Sequence, residues 1–200
     1  TAILDKDAAT ISVFSGNKNQ PILVQNARPD FRPYLHPIAA PDGKGLLTEN
    51  SPDHHAHQTG LYWGFTRVNG QKIGIDSLMN FFYEPKTEEQ KAIKGRDYFH
   101  NPGKDHWKRV SFDIIDSIGN KVSWQTVYFM LDANGEPLMK ETQVWSLELK
   151  KEQYLLDWEW NGEAIQEIVI GEMQYGGMFL RMPGKEGIKG EVINFARKKN

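Results

Sequence analysis

The sequence predicts an all-β protein, an antiparallel β-sandwich, on three observations. Apolar and polar residues alternate along most of the chain, the period of a strand with one face buried. Turn signals such as Asn-Gly and Gly-Asn punctuate these runs at regular intervals. Helical periodicity is confined to one short polar stretch.

Each element has its own signal. "ISVFSGNKNQPILVQN" (residues 11–26) reads as two strands around a turn at Gly16-Asn17. Residues 36–60 break the rhythm, and a structureless stretch of that length in a compact domain marks a functional loop. "KTEEQKAIKG" (residues 86–95) is the helical stretch, a surface turn of helix. "VSFDIIDSIGN" (residues 110–120) is a strand ending at Gly119-Asn120. "KVSWQTVYFML" (residues 121–131) alternates Val122, Trp124, Thr126 and Tyr128 with Ser123, Gln125, Val127 and Phe129. Both faces carry bulky residues, so this strand is expected to be buried on both sides. "DANGEP" follows, and its Asn134-Gly135 pair is a tight-turn signal. With "LMKETQVWSLEL" it completes a hairpin. "YLLDWEWNG" sets Tyr154, Leu156, Trp158 and Trp160 on one face and Asp157 and Glu159 on the other.

Composition narrows the function. A chain of 200 residues suits one sandwich domain over residues 1–200, and 39% hydrophobic content supplies a core. The formal charge is −2 with no basic stripe, which argues against nucleic acid and acidic lipid as partners. Cysteine is absent, so disulfides, thiolate metal sites and cysteine nucleophiles are excluded. No apolar run approaches the roughly 20 residues that span a bilayer, so no membrane partner is expected. The start "TAILDKDAAT" has no Met, which fits a mature or a trimmed end and leaves a removed export signal open.

Histidine is the unusual residue. Four of the six lie within residues 36–64, and His54, His55 and His57 fall within four consecutive positions. On an extended strand His55 and His57 share a face, an H-x-H pair able to chelate a divalent metal with Asp53 or Glu49. Imidazole also titrates near 6.5, which suits proton transfer at neutral pH. A third reading has these rings bonding backbone groups and organising the loop. Tyr34, Tyr62, Trp63 and Phe65 lie nearby in sequence, and aromatic faces stack on sugar rings. "FRPYLHP" holds Arg32 and His36 between prolines that stiffen the loop. Arg32 would fork onto a carboxylate or onto ligand hydroxyls. "GRDYFHNPG" places His100 just before a turn. "GEMQYGGMFLRMPG" gathers Glu172, Gln174, Tyr175 and Arg181 around a Gly-Gly pair, and Glu172 is a candidate general base.

Together "RPYLHPIAAPDGKGLLTENSPDHHAHQTGLYWGFTRVNG", "HW", "ETQVW" and "YGGMFLRMPG" resemble a bacterial domain family labelled "methane oxygenase PmoA" or left without a function. The resemblance runs from about Arg32 to Gly184. In that family's pattern His54 and His57 match, Pro is common where His55 stands, and His and Arg are common where Gln58 and Thr59 stand. A membrane methane monooxygenase subunit needs several apolar spans, and this chain has none. The resemblance implies a galactose-mutarotase-like supersandwich with a site on its concave face. It also implies a chain truncated or divergent at its C-terminus, because the family usually continues past "EVINFARKKN". An exported protein, periplasmic or extracellular, is implied too.

Mutarotase-like proteins open sugar rings by proton shuttling between a carboxylate and a His. The expected catalytic set is therefore Glu172 as base with His57 or His36 as acid. Arg32, Tyr34, His54, His100, Tyr175 and Arg181 are the expected substrate contacts, and His55 with His57 is the expected metal pair. The function expected is that of an enzyme on a small-molecule carbohydrate: an isomerase, lyase or hydrolase. Two alternatives stand beside it: a non-catalytic carbohydrate-binding module, and a metal-dependent oxidase or hydrolase using His54, His57 and a carboxylate.

Overall fold

The computed structural model describes residues 1–16, 19–51, 55–100, 103–151 and 153–184. They form two antiparallel sheets that pack as a sandwich. The first sheet starts as a meander of short strands: β1 (Ala2–Asp5), β2 (Thr10–Val13), β3 (Leu23–Asn26), β4 (Tyr34–Ile38) and β5 (Leu61–Gly64). A late strand, β10 (Gly177–Leu180), closes it by pairing with β5. The second sheet is built from long strands: β6 (Trp107–Asp116), β7 (Lys121–Leu131), β8 (Pro137–Lys150) and β9 (Gln153–Ala164).

Hydrophobic alternation explains the layering. Val122 and Trp124 of β7 and Trp145 and Leu147 of β8 face Ile11, Val13, Leu23, Leu35 and Leu61 of the first sheet in one core. Trp124 pairs with Trp145 across β7 and β8, and Trp145 stacks on Trp158 of β9 with centroids 4.6 Å apart. Such cross-strand aromatic pairs stabilise a sheet by about 0.2–1 kcal/mol each. The β7 alternation puts one face in the core, whereas on the other Val127 is buried and Ser123, Gln125 and Phe129 are half-buried.

A polar seam runs through this interior. Gln25, Thr126, Glu141 and Gln143 are all buried. Trp124 Nε1 donates to Gln25 Oε1 at 3.1 Å, Trp145 Nε1 to Gln143 Oε1 at 3.1 Å, and Trp160 Nε1 to Glu141 Oε2 at 2.8 Å. Gln143 Nε2 donates to Glu141 Oε1 at 2.7 Å. These bonds offset the cost of burying Gln25, Glu141 and Gln143, whereas the buried Thr126 hydroxyl makes no hydrogen bond among the described residues.

Between β5 and β6 the chain leaves the sheets. This excursion carries α1 (Ile75–Met79) and α2 (Glu88–Lys94). The latter is the expected surface helix, and it starts at a capping box in which Thr87 and Gln90 satisfy each other's backbone N–H groups. Tyr62 shows where the excursion packs. Leu61 joins the sandwich core and Trp63 meets Trp158 and Trp160, whereas Tyr62 points the opposite way, against Phe99 and Phe179. The excursion therefore roofs the outer face of the first sheet at its β5–β10 end.

Candidate functional site

The roof ends in a tight turn. Gly95 follows α2 with φ +74°, and a Cβ there would lie 2.4 Å from the Val68 carbonyl oxygen. Only glycine reverses the chain in that space. The reversal sets Asp97 beneath the residues that follow it. Its Oδ1 accepts the backbone N–H of Phe99 at 3.1 Å and of His100 at 2.9 Å, an Asx-type turn. Its Oδ2 lies 3.0 Å from His100 Nδ1. A carboxylate only accepts, so Nδ1 carries a proton on the Asp97 side and Nε2 is the nitrogen left to the cleft. Burial alone would raise the Asp97 pKa, but the bonds from His100 and the charge of Lys94 outweigh it and hold the carboxyl below its usual range.

His57 comes to the same place from a different loop. Residues 55–58 form a turn closed by Gln58 N–H donating to the His55 carbonyl at 2.9 Å. The His57 ring sits 4.8 Å from the His100 ring, edge to face, and 5.8 Å from the His55 ring. Burial, then the neighbouring His100, Arg32 and His55, push the His57 pKa down to about 4. The ring is therefore uncharged at neutral pH.

Arg32 joins the two loops. Its guanidinium is fully buried and donates to the Phe99 carbonyl at 2.6 Å, the His57 carbonyl at 2.5 Å and Thr59 Oγ1 at 3.1 Å. It lies 3.2 Å above the centre of the Tyr62 ring. A planar fork with several donors suits three acceptors spread over two segments.

A cleft of about 770 Å³ opens over these histidines, lined by His55, His57, Gln58, Tyr83, Phe99, His100, Gln174, Tyr175 and Phe179, among others. Tyr83 and Tyr175 stand half-exposed, each with its ring perpendicular to that of His100, at 5.5 and 6.4 Å. A second cleft of about 800 Å³ lies on the other side of Asp97 and carries Lys91, Lys94 and Arg96. Those cations are already paired with Glu88, Asp97 and Asp105, so less free chemistry faces its interior.

The structure gathers only part of the expected set. His57, His100, Tyr175 and His55 line the cleft. His36 does not: it lies on β4 with Nδ1 2.9 Å from Thr48 Oγ1. Glu172 is exposed outside the lining, because β10 begins only at Gly177 and residues 172–174 do not continue the strand. The carboxylate that meets the histidines is Asp97. Arg32 is sealed in the interior, so it holds the loops rather than a substrate. Tyr34 packs edge-on against Phe31, away from the cleft. Arg181 stands one step behind it, donating to Glu49 Oε2 at 2.9 Å and to Gln58 Oε1 at 2.8 Å. His54 and Asp53 fall outside the described residues. The H-x-H pair sits on a turn rather than on the expected strand. Among the described residues no three His, Cys, Asp or Glu side chains are grouped to hold a metal ion.

Asp97 and Tyr83 were not candidates on sequence. Asp97 had a signal: an acidic residue three before a His in a Gly-bounded turn is the pattern of a side-chain-capped loop. Tyr83 had none, since it reaches the cleft only through the path of the excursion.

A two-sheet antiparallel sandwich with a histidine cleft on the outer face of one sheet is the class that fold and site define. Within it, residues 23–200 match the model of DUF6807, a family of unknown function, and the chain belongs to that family. The match agrees with the expected domain family of unknown function and carries no methane-oxygenase description. No curated protein and no solved structure matches the chain.

Proposed function

We propose that the cleft is an acid–base site for a carbohydrate and that the protein catalyses a proton-shuttling reaction on a sugar, as in ring opening of an aldose. One observation carries this reading: two imidazoles from separate loops lie 4.8 Å apart, one oriented by a buried carboxylate, between two half-exposed tyrosines. In ring opening, uncharged His57 accepts the proton of the anomeric hydroxyl. His100, its Nδ1 held on Asp97, delivers a proton from Nε2 to the ring oxygen. The C1–O5 bond breaks as the C1=O1 bond forms, and each proton taken is matched by one given. The tyrosine and phenylalanine rings supply apolar faces for the C–H side of a sugar.

Polarimetry on freshly dissolved aldose anomers tests this reading. Wild type is expected to speed equilibration of at least one aldose. His57→Ala and His100→Ala each lose about a hundredfold or more of that acceleration. Because His57 titrates near 4, activity falls on the acid side around pH 4 rather than around 6.5. Equal rates in wild type and both variants would remove the enzyme reading. Saccharide binding without turnover would leave a binding module, which the aromatic mouth of the cleft also suits.

A further inference from the structure

Asp97 is reached from both sides. His100 bonds it from the sugar-facing cleft, and Lys94 from the cleft behind. Lys94 sits in the last turn of α2, and the Gly95 reversal folds the chain so that Nζ lies 3.5 Å from Asp97 Oδ2, the oxygen that faces His100 Nδ1 at 3.0 Å. Both side chains are withdrawn from water, Lys94 to 12% exposure and Asp97 to 1%. Nζ also lies 4.6 Å over the Phe82 ring, and Phe82 packs edge-on against His100. The lysine thus touches the carboxylate and, through Phe82, a wall of the same histidine.

A lysine at a helix C-terminus is ordinarily a match for the helix dipole, with its ammonium in solvent. Here it is turned inward onto a buried carboxylate, where an ion pair is screened far less than at the surface. We propose that Lys94 is a positioning residue of the histidine cleft: it fixes the Asp97 carboxylate against His100 and so sets the ring that faces the sugar. The role in turnover rests on the acid–base reading given above, whereas the hold on Asp97 does not. Other groups face Asp97 as well: His57, Arg32, Tyr62, Tyr83 and His106 interact with it electrostatically. Among the described residues, Lys94 and His100 are the two whose side-chain nitrogens approach its carboxylate oxygens, at 3.5 and 3.0 Å.

The test uses Lys94→Met and Lys94→Gln, with Lys94→Arg as the charge-conserving control, in the whole protein. Thermal unfolding first identifies the folded variants, and either neutral variant suffices. The titration of the Asp97 carboxyl carbon is then followed by NMR in the ligand-free protein. It is expected to move upward in Lys94→Met or Lys94→Gln and to stay in place in Lys94→Arg. Turnover of the active aldose is expected to fall about tenfold in the neutral variants and to recover in Lys94→Arg. An Asp97 titration unmoved by loss of the charge overturns the proposal, whatever the activity shows. A moved titration in a protein inactive on every aldose upholds the hold on Asp97 and removes the acid–base reading instead.

Discussion

Replacing Arg32 with Ala is expected to cost about 3 kcal/mol of folding stability or more and to abolish the cleft. The guanidinium donates to three acceptors: the Phe99 carbonyl, the Thr59 hydroxyl and the His57 carbonyl, the last of which also accepts from Thr59 N–H at 3.1 Å. Each buried acceptor left empty costs about 1–3 kcal/mol. The loss is also specific in place, because the same side chain ties the loop of His57 to the loop of His100. A lysine ammonium would keep the charge but not the fork, so Arg32→Lys should recover only part of the stability. Denaturant titration reads the first effect. NMR contacts between the His57 and His100 rings read the second, and they should vanish in Arg32→Ala.

Glu141 gives the second large effect, as a dependence of stability on pH. Burial in the interior pushes its pKa up to about 7, against hydrogen bonds from Trp160 and Gln143 and the charge of Arg32, which pull the other way. A folded pKa above the unfolded value means that the protonated acid stabilises the fold. That contribution is complete below the ordinary value of 4.5 and is lost as pH rises through about 7. The distance between 4.5 and about 7 corresponds to roughly 3 kcal/mol. His57 works in the opposite direction. Its pKa falls from 6.5 to about 4, so its contribution is present above 6.5 and is lost as pH falls through about 4. Comparing Glu141→Gln with wild type across pH 4–8 separates the two. Wild type should lose stability relative to the variant as pH rises. The variant should be less stable at the acid end, because its new amide N–H₂ meets the N–H₂ of Gln143.

Local signals read well where local physics decides. The run 121–131 coincides with β7, because alternation between a core and a less covered face is a property of the strand itself. The Asn134-Gly135 turn joins β7 to β8, with Gly135 at φ +85°. Helix α2 follows from its capping box and polar run. Helix α1 carries no comparable signal: its five residues follow Gly74 as N-cap, which has no side chain to cap with. The site divides on the same line. His57 and His100 could be singled out because imidazoles are chemically distinctive in any loop. That Asp97 rather than Glu172 meets them depends on the Gly95 reversal, which folds the end of the excursion back on itself. That Arg32 holds the site rather than the ligand depends on carbonyls 25 and 67 residues away. No spacing within "FRPYLHP" reports contacts of that range.

The most direct measurement is a crystal of the protein soaked with a mixture of neutral monosaccharides. The account predicts ring density between Tyr83 and Tyr175, with hydroxyl or ring oxygens within hydrogen-bonding distance of His57 and His100 Nε2. Sugar bound elsewhere with this cleft holding only water, or His100 turned away from Asp97, would contradict it.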